Sequence, residues 1–292
     1  MIFRSLLFVP GNKESMLTRA LALRPDAFVP DMEDSVPPGE KGNAREAIRA
    51  FLPQLAATGV PVIPRVNALE TDWIEADLGA VVGPHIAGVS VGKVRNAGDV
   101  SAVSQLLANL ETNAGVAVGS LKLLPWIETA EAIVSCDAIC RASERIVGVA
   151  FGGEDFTNDM GIERLSDESQ VLYARSRICV AARAAHVLAL DTPYFKLRDT
   201  DGLRANASRA KSLGFKGKFA IHPDQIGTLN ETFSPSPQEI AHARRVIAAY
   251  DEAERAGRGS TSLDGWVIDI PVVKRARALL ALADRARAEA AD

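Results

Sequence analysis

The chain reads as an α/β protein of the TIM, or (β/α)8, barrel class with a C-terminal helical lid or extension. Three observations point there. Eight short apolar runs alternate with longer segments whose apolar residues fall at helical spacing. The runs are apolar on both faces, as strands of a parallel sheet sheathed in helices must be. They occupy about 225 residues, the scale of one closed barrel. An open doubly wound sheet is the alternative, but no G-x-G-x-x-G follows the first strand.

The strands are read in order as "FRSLLFVP" (3–10), "AFVPDMED" (27–34), "PVIPRVN" (61–67), "IAGVSVGKV" (86–94), "LKLLPWIET" (121–129), "RIVGVAFGGED" (145–155), "VLALDTPY" (187–194) and "KFAIHP" (218–223). Segments such as "NAREAIRAFLPQLAATG" and "DVSAVSQLLANLETN" supply the helices between them. The barrel, and with it the catalytic domain, is assigned to residues 1–230. Residues 231–292 form the extension. There Ser236, Pro237 and Glu239 mark a helix start, since a Ser cap, a Pro at the first turn and a Glu three residues on satisfy the free amide groups. A soft linker "GRGSTS", one short strand-like piece and a long amphipathic helix follow. This tail is read as too small for a core of its own, and as a lid or oligomer contact.

Composition narrows the function classes. The chain has 292 residues, 47% of them hydrophobic, so it can bury a large core. A net charge of −4 gives no general attraction to nucleic acid or to an acidic membrane surface. The three cysteines, Cys136, Cys140 and Cys179, have no C-x-x-C spacing and fit a reducing compartment. The first residues lack the apolar length of a secretory signal, and no run approaches the ~20 residues that span a bilayer. The expectation is a cytoplasmic protein without a membrane segment.

Barrels of this kind place their chemistry at the carboxyl ends of the strands. Here those ends carry Pro10-Gly11-Asn12-Lys13, then Asp31, Glu33 and Asp34, then Arg65 and Asn67, Lys93 and Arg95, Glu128 and Thr129, Gly152-Gly153-Glu154-Asp155, Asp191, and His222. Three carboxylates at the tip of one apolar run repel one another unless they lie in water or surround a cation. Glu128 follows a wholly apolar run and must be paired or metal-bound. Asp155 follows two glycines that admit close approach. Two carboxylates on adjacent strands without a His/Cys cluster suit a hard divalent ion, Mg2+ foremost; a salt bridge to a barrel Arg or Lys is the other reading. Arg65 suits a carboxylate or carbonyl clamp, or a partner for Glu33 or Asp34. Lys93 is a candidate Schiff-base amine, although nearby carboxylates would keep it protonated. His222 reads as a structural hydrogen-bonder and Trp126 as packing.

Together these endings resemble the citrate lyase β-subunit / malyl-CoA lyase group of the 2-keto-acid aldolase superfamily. The resemblance is carried by "RSLLFVPGN" (4–12), "DMEDSVPPGEKGNAR" (31–45), "RVN" (65–67), "GKV" (92–94), "IET" (127–129), "FGGEDF" (151–156), "GFKGKFAIHPDQI" (214–226) and "VIDIPVVKRA" (267–276). It implies a barrel, often a homotrimer, that binds Mg2+, with Mn2+ as a substitute. It implies making or breaking the bond between an acetyl-type CoA thioester and a 2-oxo acid. Glu128 and Asp155 match its metal-ligand positions, with Glu128 also beside the substrate. Arg65 matches the residue contacting the oxo acid and the developing enolate oxygen. Glu33 and Asp34 match carboxylates that order metal-bound water. Asp269 falls where some members supply an acid/base from a neighbouring subunit's lid; turn chemistry is its other reading.

The implied reaction is metal-assisted cleavage of a malyl-, citramalyl- or citryl-type thioester. CoA carries phosphates, so Arg4, Lys13, Lys41 and Arg45 are candidate partners, with Pro10 and Gly11 in the binding loop; ordinary surface charge is the alternative. One departure stands out: Gly92 occupies a position that is usually Pro, which bears on the acyl pocket. The rivals are a Schiff-base aldolase using Lys93 on free acids, and a non-catalytic subunit of a larger lyase complex. Hydrolysis of the thioester also stays open.

Overall fold

Eight parallel strands close into a ring in chain order, the computed structural model describing residues 2–165 and 167–289, with side chains to residue 285. The strands are β1 (Ser5–Pro10), β2 (Ala27–Asp31), β3 (Arg65–Val66), β4 (Gly88–Val91), β5 (Lys122–Ile127), β6 (Gly148–Phe151), β7 (Leu188–Asp191) and β8 (Gly217–Ala220). The ring is sealed where Leu6 of β1 pairs with Phe219 of β8. β3 is short because Pro61 and Pro64 have no amide hydrogen to give the ladder; only Val62, bridged to Phe28, extends the pairing.

The helices of the ring are α1 (Glu14–Ala20), α2 (Lys41–Ala56), α3 (Ile74–Val81), α4 (Ala97–Asn113), α5 (Ala130–Val134), α6 (Cys136–Arg141), α7 (Gly153–Asp159), α8 (Leu172–Ala184), α9 (Thr200–Leu213) and α10 (Gln225–Phe233). Their starts follow from local chemistry. The Asn96 side chain accepts the Gly98 and Asp99 amides to open α4, and Thr129 accepts the Ala132 amide to open α5. Gly214, at φ 119°, closes α9 in a conformation that other residues resist.

Inside the ring, Leu6, Val29, Leu124, Ala150 and Leu190 form a sealed core. Above them Phe8, Trp126 and Phe219 stack with centroids 4.4–5.7 Å apart. The Trp126 indole donates to Ser90 Oγ at 2.7 Å, so its buried N–H is satisfied. This aromatic layer is the floor on which the mouth is built.

The chain divides into two compact units, Phe3–Leu229 and the residues from Asn230 onward. In the second, α11 (Pro237–Arg255) starts with the capping box of Ser236 and Glu239. The strands β9 (Thr261–Leu263) and β10 (Trp266–Ile268) form an antiparallel hairpin across Asp264 and Gly265, both at positive φ, and α12 (Ile270–Glu289) follows. Two expectations are corrected. The end of the "GRGSTS" linker is a strand, and the tail does have a core: Val246 and Tyr250 of α11 close on Ile268, Val273 and Ala276. Helix α11 supplies the apolar face that the later residues lack when read alone. Among the described residues, no helix is long and apolar enough to cross a membrane.

Candidate active site

A cavity of about 490 Å³ opens over the aromatic floor at the carboxyl ends of the strands. Five carboxylates line it, those of Asp31, Asp34, Glu128, Glu154 and Asp155, against one cation, Arg65. Phe8 and Trp126 form its base, Pro10 part of its rim, and Thr192 and Phe195 the far wall.

Arg65 and Asp31 are ladder neighbours on β3 and β2, which sets their side chains together. Nε and Nη2 of Arg65 reach the two Asp31 oxygens at 2.7 and 2.8 Å. Its third nitrogen, Nη1, lies 2.9 Å from Glu33 Oε2 and 3.5 Å from Asp34. The guanidinium stacks 4.5 Å above Phe8 and 5.5 Å from Trp126. Burial opposes its charge, but Asp31 and Glu33 more than offset this and hold it firmly protonated. Asp31 is thus the main partner of Arg65, and Glu33 and Asp34, the partners expected from the chain, share its third nitrogen.

Lys93 follows β4 at φ 54°, a left-handed conformation rare for a residue with a side chain. Its amide donates to Glu128 Oε1 at 2.5 Å, while its ammonium reaches Glu33 Oε1 at 2.8 Å and Asp34 at 3.1 Å. One residue therefore orders three carboxylates. Burial would lower the ammonium's pKa, yet Glu33, Glu128 and Asp34 raise it above the usual lysine value.

Glu128 is 1% exposed, and among the described residues its Oε2 receives no hydrogen bond. Burial, then the charges of Glu33 and Asp155, push its carboxyl up to about 8. Asp155, in the first turn of α7, is also raised, first by burial. A Cβ on Gly152 would fall on Glu128 Oε2, so this glycine is a cradle for the carboxylate. A buried and a half-buried carboxylate, both under-compensated, are a donor set fitted to a hard cation. Among the described residues, no group of three or more His, Cys, Asp or Glu is disposed to hold a metal.

The remaining sequence-derived candidates divide. Lys13 is exposed just past the carboxyl end of β1. Gly11 packs under that loop, where a Cβ would meet Ile48 at 2.5 Å and the Asp31 carbonyl at 2.7 Å. Arg4 is a correction: it precedes β1 at the opposite end of the ring and is bound to Asp26 at 2.8 Å. Lys41 is another. Its ammonium spends its three donors on the Met32 and Glu33 carbonyls and Asn67 Oδ1, at 2.7–2.8 Å. It braces the acidic loop and has no donor left for a phosphate. Arg45 is bound to Asp77. Asp191 points away from the mouth, to Arg175 and Lys218 behind the ring. His222 accepts the Asp224 amide in a local turn. In the second unit, Asp269 accepts the Val272 amide at 3.3 Å in the first turn of α12.

One contributor escaped sequence reading. Arg164 ties Glu154, next to Asp155, to Glu168, which is itself held by Arg175 and Asn206. Nothing in "GIERLSDESQ" signals that role, because it depends on the loop folding back over α7.

Comparison with known proteins agrees with this geometry. Residues 4–223 match the HpcH/HpaI aldolase/citrate lyase family. The chain is 38% identical over 281 residues to the citrate lyase subunit beta of Escherichia coli K12, covering 96% of this chain and 93% of that one. It is 32% identical to a mitochondrial citramalyl-CoA lyase of Rattus norvegicus, covering 96% and 86%. A crystal structure of protein CitE from Mycobacterium tuberculosis, in complex with magnesium, acetoacetate and coenzyme A, superimposes with a TM-score of 0.80 at 28% identity, covering 97% and 98%. A closed parallel ring with its ionisable groups gathered in one mouth, and a match running through all eight strands, lead to one conclusion: the chain belongs to the HpcH/HpaI aldolase/citrate lyase family and is a lyase.

Proposed function

We propose that the chain is a Mg2+-dependent carbon–carbon lyase. It would cleave a 3-hydroxyacyl-CoA of malyl, citramalyl or citryl type into an acetyl-type thioester and a 2-oxo acid, reversibly. The observation that carries this is Glu128: a carboxylate 1% exposed, raised to about 8 by burial and by neighbouring carboxylates, in a lyase family. Arg65, Lys93 and Arg164 offset Asp31, Asp34 and Glu154, so Glu128 and Asp155 are the mouth carboxylates left to attract a further cation. The CitE structure contains magnesium, acetoacetate and coenzyme A, which supports this choice of ion and substrate.

Glu128 and Asp155 would hold Mg2+, or Mn2+ in its place, leaving other positions to water and substrate oxygens. When bound, the ion supplies Lewis-acid polarisation of the oxo-acid oxygens. Arg65 stays oriented by Asp31 and offers Nη1, shared with Glu33 and Asp34, to the substrate carboxylate or the developing enolate oxygen. Cleavage removes the hydroxyl proton to a base, the C–C electron pair passes into the thioester enolate, and a proton returns to that carbon. Asp269 is the proposed acid/base, and the C-terminal unit the lid or oligomer contact that delivers it. Glu33 and Asp34 would order water at the ion. Lys13, with Pro10 and Gly11, borders the CoA entry. A cytoplasmic homotrimer is the assembly this reading carries.

The test is cleavage of malyl-, citramalyl- and citryl-CoA by the purified chain. Activity should vanish with EDTA, return with Mg2+, and be lost in Glu128→Ala, which should also lose Mg2+ binding by calorimetry. Full turnover in chelator overturns the reading. Binding of Mg2+ and a thioester with no cleavage across the panel would place the chain as a subunit of a larger complex.

A further inference from the structure

A second cavity, of about 540 Å³, lies at the amino-terminal end of the ring, opposite the mouth. It opens where α8 turns into β7 and α9 turns into β8. Arg183, His186 and Lys216 line it together with an apolar wall that includes Val180, Leu188 and Leu213, and no carboxylate does. All three basic side chains are exposed, and among the described residues none is claimed by an ion pair or a hydrogen bond.

Helix ends attract cations, which would account for basic residues here without a ligand. The backbone argues for more than that. Both helices close with the same cap: Val187 donates to the Ala182 carbonyl at 3.0 Å, and Phe215 to the Ala210 carbonyl at 3.1 Å. The Ala184 carbonyl is taken by Arg141 at 2.9 Å. The left-handed position of the cap is glycine in one turn, Gly214 at φ 119°, but histidine in the other, His186 at φ 61°. Glycine holds that conformation at less cost than a residue with a Cβ. An imidazole kept at a glycine position, lining a cavity and bound to nothing in the protein, marks a side chain retained for what it binds.

We propose that this cavity is an accessory site for a small organic anion: Arg183, His186 and Lys216 hold a phosphate or carboxylate head, and the apolar wall holds its body. Donors from two neighbouring turns meet the oxygens of one head group, and a cavity of this size takes a small molecule. The site shares no residue with the mouth and does not depend on the cation reading there.

The experiment is calorimetry of the purified chain with phenyl phosphate, benzoate and inorganic phosphate. One of the two aromatic anions should saturate a single site and bind more tightly than inorganic phosphate; which one does so tells a phosphate from a carboxylate ligand. Lys216→Glu and Arg183→Glu should each weaken it about tenfold or more, the scale of a lost charged hydrogen bond. His186→Gly should weaken it too, while Tm stays level or rises because the left-handed turn is relieved. The three positions are exposed, so the variants should fold, and circular dichroism checks that. No saturable binding of either aromatic anion, no advantage over inorganic phosphate, or binding that survives both charge reversals overturns the site. So does a His186→Gly chain that binds as wild type. A lower Tm in the charge-reversal variants with unchanged affinity would leave the helix ends as the whole account of these residues, and overturns it as well.

Discussion

Arg65 grips Asp31 through two parallel hydrogen bonds of 2.7 and 2.8 Å, with Asp31 only 1% exposed. Burial pushes the Asp31 carboxyl up, and the Arg65 guanidinium more than offsets it, so the carboxyl ends below its usual range. The pair is a hinge-pin for the mouth, because Asp31 also accepts the Glu33 and Ser35 amides that shape the acidic loop.

Asp31→Asn should therefore destabilise the chain, by less than the ~3–5 kcal/mol of a wholly stranded buried pair, because Glu33 stays 2.9 Å from Arg65. Urea unfolding checks it, and the expected result is a lower midpoint with an unchanged slope. The sign with pH follows from the depressed carboxyl. Its contribution is present above the unfolded value and fades as pH falls through the folded one, so wild type and variant should converge in acid.

Lys93 should form no Schiff base. An amine must be neutral to attack a carbonyl, and here Glu33 and Asp34 keep it an ammonium. Pyruvate followed by borohydride should leave the mass of the intact chain unchanged. An added lactyl-sized increment mapped to Lys93 would favour the metal-independent aldolase.

The strands were legible because apolar, β-branched runs between helical segments admit few other folds, and the mouth because such a ring gathers its strand ends. What stayed hidden depended on direction and distance. Asp191 looked like a mouth residue, yet alternate side chains on a strand face opposite ways, and Leu190 takes the inward position. Arg4 and Lys41 carry the right charge for phosphate, but the sequence does not say that Asp26 and the acidic loop's own carbonyls claim them first. Asp31 was hidden by its closeness to Glu33 and Asp34: three carboxylates within four residues, and only the β2–β3 register selects the one that Arg65 grips through two hydrogen bonds.

Gly152→Ala should disturb the proposed cation site. Gly152 has φ −97°, which alanine accepts, but the new methyl would fall on Glu128 Oε2 and lie 2.6 Å from its Cβ. The Lys93 amide holds Glu128 Oε1, so the carboxylate is displaced from the position it now keeps. Mg2+ affinity should drop by at least tenfold, while Tm without metal reads separately what the 2.6 Å approach to the Glu128 Cβ costs in stability. A fall in stability with unchanged affinity would contradict the cradle.

Glu111 gives a pH signature away from the mouth. It accepts two hydrogen bonds from Arg145, at 2.8 and 2.7 Å, and the amides of Gly119 and Leu121 at 2.8 and 2.9 Å. Burial works against its charge, but these four donors win and bring its carboxyl down to about 2. A carboxylate lowered in the folded state stabilises it above the unfolded value, near 4.5, and loses that effect as pH falls toward 2. Glu111→Gln keeps the shape but strands Arg145, so it should cost about 3 kcal/mol at pH 7. Urea midpoints of wild type and variant, compared at pH 7, 5, 4 and 3, should differ most at pH 7 and draw together only below about 4.5. A constant gap across that range would mean that Glu111 acts through packing rather than through its charge.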